Sequence, residues 1–131
     1  MDLEYRKLFQ EARSARSFAV ANFSNFPVGA ALETQDGRIF TGCNIENATY
    51  GLTVCAERVA AFKALSEGCR EFTRIAVVTD TSKLTPPCGA CRQVLWEFCG
   101  DIEIILADLK GKTESVTLGE LFPRPFDASF L

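Results

Sequence analysis

Three cysteines in two short motifs constrain the fold of this chain more than any other feature. The first motif is Cys55-Ala56-Glu57-Arg58, and the second is Pro87-Cys88-Gly89-Ala90-Cys91-Arg92. Each motif is predicted to stand where a loop or strand leads into a helix. Helix N-termini lower the pKa of thiols and so favour the thiolate that a metal ion needs. The sequence therefore predicts thiols from two helix starts that converge on one metal ion.

The spacing of the thiols predicts a catalytic zinc site. Cys88 and Cys91 are three residues apart at a helix start, which puts both side chains on one face, where they can share a tetrahedral ion. Cys55 supplies a third ligand, and a fourth position left open to water is typical of catalytic zinc. Water on zinc can reach a pKa of about 7, which matters in a chain without histidine. We predict one Zn²⁺ per chain.

Other interpretations of the cysteines explain less of the sequence. A lone Cys-x-x-Cys also occurs as a pair of buried thiols or as a thioredoxin-like redox pair, but neither explains the first motif. A closed structural site would need a fourth thiol from the remaining cysteines. None of these forms a second close pair, so we assign them to the core, the usual place of a free cysteine; they are Cys43, Cys69 and Cys99.

Glu57 is the predicted catalytic acid and base. It follows Cys55 by two residues, a helical spacing that points it away from the thiolate. It is therefore poorly placed as a ligand but able to flank the open coordination position, where a carboxylate can exchange protons. The alternative is an ordinary first-turn glutamate that is favoured by the helix dipole.

Length, composition and charge exclude several classes of protein. The chain has 131 residues, 47% of them hydrophobic, which predicts a single domain over 1–131 with a core of its own. A net charge of −3 without a basic stripe argues against a nucleic-acid binder. No apolar run approaches the roughly 20 residues of a membrane span, and the N-terminus lacks the basic-then-apolar order of a secretory signal. We therefore expect a cytoplasmic protein with cysteines as thiols or metal ligands.

Hydrophobic periodicity predicts the element order α-β-β-α-β-α-β. The predicted helices are 3 to about 20, 54–67 and 89–98, and the predicted strands are 28–33, 38–45, 74–79 and 103–107, with an edge strand near 114–116. The turn Gln35-Asp36-Gly37 indicates a hairpin. Thr117 and Glu120 fit a capping box for a short last helix. Strands that alternate with helices in the second half imply parallel pairing.

Polar side chains after the second strand are candidates for substrate binding. Asn44 and Glu46 are two residues apart, so they face the same side of an extended segment. An amide beside a carboxylate suits hydroxyl groups such as those of a sugar, although a polar strand end is an equally good explanation. Phe26, in the loop before the first strand, is either a core residue or a stacking surface.

The motifs together resemble those of the small, homotetrameric cytidine deaminases with a three-cysteine zinc site. Zinc deaminases share a Pro-Cys-x-x-Cys motif and a glutamate that is not a ligand. The resemblance covers nearly the whole chain and includes Phe26-Pro27-Val28-Gly29-Ala30, Gly42-Cys43-Asn44-Ile45-Glu46-Asn47-Ala48 and Gly89-Ala90-Cys91-Arg92-Gln93. It implies an α/β fold, a three-layer α/β/α sandwich around a mixed five-stranded sheet, which we expect to be mostly parallel.

The resemblance also implies a reaction and a set of substrate residues. The reaction is hydrolytic deamination of cytidine and 2′-deoxycytidine to uridine and 2′-deoxyuridine in pyrimidine salvage, with Glu57 moving protons and ammonia released. The implied substrate residues are Phe26 beside the pyrimidine, Asn44 and Glu46 on the ribose hydroxyls, the Ala56 backbone on the base edge, and Tyr50 and Phe126 in a neighbouring subunit's pocket. Phe126 and Phe130 form a short apolar tail, which independently predicts a homo-oligomer, as in a homotetramer.

Arg58 is predicted to support the metal site. Three thiolates on Zn²⁺ leave a net negative charge, which a nearby cation would offset. Arg58 is three residues after Cys55 and so on the same helical face, from which its guanidinium can donate to sulfur. Arg92, four residues after Cys88, is a rival for this role, and two solvated surface arginines are the alternative.

Three other functions remain open at the level of sequence. One is a deaminase of another cytosine nucleoside, such as blasticidin S. The second is a non-catalytic binding module stabilised by zinc, against which Glu57 and the open coordination position argue. The third is a polynucleotide-editing deaminase, which the short chain and acidic balance disfavour.

Overall fold

The computed structural model describes residues 3–131, and a five-stranded sheet with the order β2-β1-β3-β4-β5 lies at its centre. Its elements are α1 Leu3–Arg16, β1 Val28–Thr34, β2 Ile39–Cys43, α2 Ala56–Ser66, β3 Phe72–Thr79, α3 Gly89–Cys99, β4 Glu103–Ala107, β5 Thr113–Thr117 and α4 Leu118–Leu121, with short 3₁₀ helices at Tyr50–Leu52 and Ala128–Phe130. The predicted element order and the edge strand β5 are thus confirmed. The Thr117–Glu120 capping box at the start of α4 is also present.

The sheet is mixed but mostly antiparallel, so the expectation of a mostly parallel sheet was wrong. Only β3 and β4 pair in parallel, while β1–β2, β1–β3 and β4–β5 are antiparallel. Two of the antiparallel pairs are hairpins, in which neighbouring strands must run in opposite directions. The third pair follows from the connection through α2. This connection adds β3 on the other side of β1, in the same direction as β2, so β1 lies between two strands that both run opposite to it.

Two predicted elements end earlier than periodicity suggested. The helix predicted to reach about residue 20 ends at Arg16, because the amides of Ser17 and Phe18 bond carbonyls only three residues back. The amide of Val20 then donates to the carbonyl of Asn44. The strand predicted over 38–45 ends at Cys43, and Ile45 instead forms isolated bridges with Val20 and Val54. These contacts join the chain before β1 to the chain after β2.

Helices cover both faces of the sheet, which confirms the three-layer α/β/α sandwich. On one face, Leu8 and Ala12 of α1 pack against alternate residues of the central strands, namely Ala31, Ala76, Val78 and Ile105. On the other face, α2 and α3 bury a larger core that includes Ala60, Ala64, Leu95, Leu32, Ile75, Val77 and Ile104. The strand β3 is therefore buried from both sides. Among residues 3–131, no helix combines the length and the apolar character needed to cross a membrane.

Candidate active site

The two cysteine motifs lie at helix N-termini, as the sequence predicted. Cys55 is the N-cap residue of α2 and Cys88 is the N-cap residue of α3, and both have extended backbones. Neither side chain makes a capping hydrogen bond, so both sulfurs are free to turn toward a ligand. Cys91 lies in the first turn of α3 and is completely buried. The positive ends of two helices therefore face the same thiols.

The three sulfurs have the spacing of a tetrahedral metal site. The Sγ atoms of Cys55 and Cys88 are 3.9 Å apart, those of Cys88 and Cys91 are 3.5 Å apart, and all three lie within 4.8 Å of one another. Zinc–sulfur bonds of about 2.3 Å in tetrahedral geometry place sulfurs about 3.8 Å apart. The thiols thus fit a zinc ion held by three protein ligands. Within the described part of the chain, no other group of cysteines or carboxylates has this geometry.

Hydrogen bonds to Cys55 favour its thiolate form. The thiol of Cys91 and the guanidinium of Arg58 lower the pKa of Cys55 to about 5, and the bond to Cys55 raises the pKa of Cys91 because the two sulfurs share one proton. The Nη2 atom of Arg58 is 3.3 Å from the Cys55 sulfur. Arg92 instead donates to the carbonyl oxygens of Pro87 and Leu121, at 2.8 and 2.5 Å. Arg58 therefore contacts a sulfur of the cluster, whereas Arg92 bonds the backbone of the loop that carries Cys88 and the backbone of α4.

Glu57 is a buried carboxyl group beside the cysteines. It lies in the first turn of α2, only 4% exposed, and lines the same cavity as Cys55 and Cys88. Burial raises the pKa of Glu57 to about 7. A cation held by the thiolates would act in the opposite direction, because it stabilises the carboxylate. A carboxyl group that can both hold and release a proton near neutral pH is suited to general acid–base chemistry.

Cys55, Cys88 and Glu57 open onto one cavity of about 380 Å³, while the Cys91 thiol of the same cluster is completely buried. Its wall combines residues from the loop before β1, the segment after β2, the start of α2 and the loop before α3, including Phe26, Asn44, Glu46, Ala56, Thr85 and Pro86. Phe26 is 38% exposed, so its ring is a wall of the cavity rather than a core residue. The structure thus brings together Phe26, Asn44, Glu46 and Ala56 from the predicted substrate residues.

Asn44 and Glu46 also organise the backbone around the cavity. The Oδ1 atom of Asn44 accepts from the Val28 amide at 2.8 Å, and its Nδ2 atom donates to the Phe26 carbonyl at 3.0 Å. The carboxylate of Glu46 accepts from the amides of Phe23 and Ser24, both at 2.9 Å. Both side chains therefore hold the loop before β1 in place, a role that their spacing in the sequence did not indicate.

Tyr50 and Phe126 do not line this cavity in their own chain. Tyr50 is 75% exposed and makes an edge contact with Phe23, with 6.0 Å between ring centroids. Phe126 is 59% exposed and stacks on Phe130 in the C-terminal tail. The side chain of Gln93 on α3 donates to the Phe126 carbonyl, which attaches the tail to the helix that bears Cys91. Neither ring thus lines the cavity of its own chain, although Tyr50 lines an adjoining groove that shares Ser24 and Glu46 with the cavity.

Two further features position the site and were not identified from sequence. A Cβ atom on Gly42 would lie 2.3 Å from the carbonyl oxygen of Ala56, so only glycine allows β2 to approach the first turn of α2. Three threonine hydroxyls, those of Thr79, Thr81 and Thr85, lie 2.9 to 3.3 Å from one another and brace the loop that leads to Cys88. Gly42 is the first residue of the family motif over 42–48, whereas no local sequence pattern indicates the role of the threonines.

The cysteines outside the cluster have three different environments. Cys69 is buried in the larger core, and Cys99 packs against it. Burial raises the pKa of Cys99 to about 12 and also raises that of Cys43. Cys43 is half-buried in a groove near Lys63 rather than in a core cluster. The assignment to the core therefore holds for Cys69 and Cys99 but not for Cys43.

Comparison with known proteins identifies the family. The family model for the cytidine and deoxycytidylate deaminase zinc-binding region matches residues 3–107. A cytidine deaminase from Sporosarcina psychrophila is 52% identical over 127 residues, which are 96% of this chain and 92% of that protein. A blasticidin-S deaminase from Bacillus cereus is 35% identical over 104 residues, 73% of this chain and 74% of that protein.

A solved structure agrees with both the sequence match and the fold. The crystal structure of a cytidine deaminase from Burkholderia pseudomallei superposes with a TM-score of 0.90 at 46% identity, covering 96% of this chain and all of that one. The three-cysteine cluster thus lies in a chain that matches a zinc-binding deaminase region over most of its length. The chain belongs to the cytidine deaminase family, and its cofactor is zinc.

Proposed function

We propose that this protein hydrolytically deaminates cytidine and 2′-deoxycytidine to uridine and 2′-deoxyuridine. The observation that carries the proposal is a cluster of three thiols, two of which open with a buried carboxyl group onto one cavity that also has an aromatic wall and an amide–carboxylate pair. The names of the relatives, cytidine deaminase and blasticidin-S deaminase, are consistent with a site for deamination. This chain is 52% identical to the cytidine deaminase and 35% identical to the blasticidin-S deaminase, so cytidine is favoured over blasticidin S as the substrate.

Each residue of the proposed metal site has a chemical role in this reaction. Cys55, Cys88 and Cys91 would hold one zinc ion, which supplies a Lewis acid and makes water at its open position easier to deprotonate. Glu57 would accept a proton from the attacking water and donate it to N3 of the ring. It would then carry the proton of the new C4 hydroxyl to the amino group, which leaves as ammonia while C4 becomes a carbonyl. Arg58 donates to the Cys55 sulfur and offsets the negative charge of the thiolates.

The remaining cavity residues would bind the base and the sugar. The ring of Phe26 offers a face for the pyrimidine, and the backbone of Ala56 lies at the cavity wall where it can read the edge of the base. Asn44 supplies a donor and Glu46 an acceptor, and a ribose hydroxyl can bond both at once.

The charge of the cavity favours a free nucleoside over a polynucleotide. Among the described residues that line it there is no lysine or arginine, and two glutamates are present. Phosphate groups are bound chiefly by basic side chains and helix N-termini. Nucleic acid is therefore not the expected partner, and activity should depend little on salt concentration.

We also propose that residues 1–131 form one catalytic domain and that four copies assemble in the cytoplasm. One sheet and its two cores support the single domain. The exposed rings of Tyr50, Phe126 and Phe130 support an oligomer in which Tyr50 and Phe126 complete a neighbour's pocket. The reaction would recover uridine from cytidine in pyrimidine salvage.

A single preparation tests the proposed reaction and metal together. Zinc content per chain should be about one, and cytidine should yield uridine and ammonia in equal amounts. Turnover of blasticidin S should be much slower than that of cytidine. Zinc without release of ammonia would instead indicate a non-catalytic binding module.

A further inference from the structure

The carboxylate of Glu46 is held by the loop that precedes β1. Its Oε1 atom accepts from the amides of Phe23 and Ser24, both at 2.9 Å, and its Oε2 atom accepts from the Ser24 hydroxyl. The Asn44 amide completes the set at 3.3 Å. A carboxylate offers about four lone-pair sites, so Glu46 is surrounded by donors. These bonds, with the Ser24 hydroxyl foremost, keep the pKa of Glu46 below its usual value.

The hydroxyl of Ser24 makes two bonds at once. While it donates to Glu46, it accepts a hydrogen bond from the Phe26 amide at 3.0 Å. Asn25, between the two residues, has a φ of 55°, in the left-handed region that asparagine tolerates better than most side chains. One hydroxyl thus links the carboxylate proposed to bind the sugar to the backbone of the aromatic residue proposed to contact the base.

The weakest of the four contacts shows where a sugar hydroxyl can enter. The Asn44–Glu46 contact is the longest of the set, and it joins a donor to an acceptor that both line the cavity. A hydroxyl inserted there can accept from Asn44 and donate to Glu46, which replaces one long bond by two good ones. The three bonds from Phe23 and Ser24 are not disturbed by this insertion. They therefore fix the orientation of the carboxylate before the substrate arrives.

We propose that Ser24 is a positioning residue that orients Glu46 for the ribose and couples it to Phe26. The proposal rests on the sugar-binding role proposed above for Glu46. Loss of the hydroxyl leaves the carboxylate with its backbone donors but free to rotate at Oε2, and it leaves the Phe26 amide without an acceptor. Substrate binding is then weakened, while Glu57 and the zinc ligands are untouched.

The test compares Ser24→Ala and Ser24→Thr on two substrates. The substrates are cytidine and dideoxycytidine, which lacks both ring hydroxyls of the ribose. With cytidine, Ser24→Ala should raise KM by about tenfold with kcat within about twofold, the scale of one hydrogen bond to a charged group. Ser24→Thr keeps the hydroxyl and should restore KM. Ser17→Ala is the matched control, because Ser17 is exposed and its hydroxyl bonds only a local carbonyl.

With dideoxycytidine, Ser24→Ala should raise KM much less than with cytidine, by about twofold, because no sugar hydroxyl reaches Glu46 and only the coupling to Phe26 is lost. An equal loss on both substrates would overturn the proposal and make Ser24 a general structural residue. A lower KM for cytidine in Ser24→Ala would also overturn it, since the hydroxyl would then compete with the sugar. Zinc content and far-ultraviolet circular dichroism check that each variant is folded and loaded.

A second variant separates this proposal from the one on which it rests. Glu46→Gln should raise KM for cytidine, and Ser24→Ala should add little in that background, because both act through the same contact. If wild-type enzyme used both substrates with equal KM, the sugar-binding role of Glu46 would be wrong. If instead Glu46→Gln had its expected effect and Ser24→Ala had none, only the role of Ser24 would be lost.

Discussion

The two halves of the site are built in different ways. The metal half, Cys55, Glu57, Arg58, Cys88 and Cys91, stands on the first turns of two helices that pack against the sheet. The half that is proposed to bind the nucleoside, called the sugar half below, comprises Ser24, Phe26, Asn44 and Glu46. It stands on loops at the ends of β1 and β2 and is held by hydrogen bonds between side chains and backbone.

This difference predicts a rigid metal half and a more mobile sugar half. In the metal half, Glu57 and Cys91 are at most 4% exposed and only Cys88 lies on the surface. In the sugar half only Asn44 is buried, whereas Phe26 is 38% exposed and Ser24 lies on the surface. Packing holds helix starts within a narrow range of positions, which chemistry at one atom requires. Loop segments open at lower free energy than core helices, which suits the part that admits and releases a ligand. Changes in the metal half should therefore lower kcat, and changes in the sugar half should raise KM.

The largest effect is expected from Glu57→Ala. Its zinc should remain because all three thiols are intact, while kcat should fall by at least roughly 10³-fold because proton transfer is lost. Metal analysis and steady-state kinetics on one sample measure both quantities. Glu97→Ala on the exposed face of α3 is the control and should behave as the wild type. Loss of zinc from Glu57→Ala, or retained activity, would refute the assigned role.

Asn44→Ala should show the opposite kinetic pattern, with KM raised more than kcat is lowered. Asn44 is only 7% exposed and bonds both the Val28 amide and the Phe26 carbonyl. Its loss should also lower the free energy of unfolding by about 1–2 kcal/mol, since two partly buried backbone groups lose their partner. Urea denaturation measures the stability. An unchanged stability together with an unchanged KM would show that the loop does not depend on Asn44.

Arg58→Gln should cost about tenfold in kcat with zinc retained, the scale of changes one shell away from a metal. Removal of a cation beside the thiolates raises the pKa of nearby acidic groups, so the acidic limb of the pH–rate profile should move to higher pH. Arg92→Gln is the comparison, because Arg92 donates to two carbonyl oxygens instead. A shifted profile in Arg92→Gln with none in Arg58→Gln would exchange the two roles.

The smallest effect on activity is expected from changes at the exposed aromatic rings, and it should depend on protein concentration. Sedimentation velocity without substrate should show a homotetramer. Phe126→Ala should lower kcat/KM by a few-fold and leave zinc unchanged, while Phe98→Ala, an exposed phenylalanine on α3, is the control. A monomer with full activity at assay dilution would exclude a pocket completed by a neighbouring subunit.

The elements that depend on neighbours in the chain were predictable from sequence. The Asp-Gly turn, the capping box at Thr117 and the cysteine spacings act within four residues, and each occupies its predicted place. The family motifs added the list of cavity residues, four of which do line the cavity. Local sequence carries this information because turns, caps and helical faces are set by contacts between near neighbours.

Only the tertiary structure decided the features that join distant segments. It placed β3 beside β1 instead of β2, bonded the Val20 amide to the Asn44 carbonyl after the end of α1, and chose Arg58 over Arg92 as the donor to sulfur. It also revealed Ser24 as a partner of Glu46, 22 residues away. None of these contacts has a local signature, because each depends on how whole elements pack and on which polar groups then need a hydrogen-bond partner.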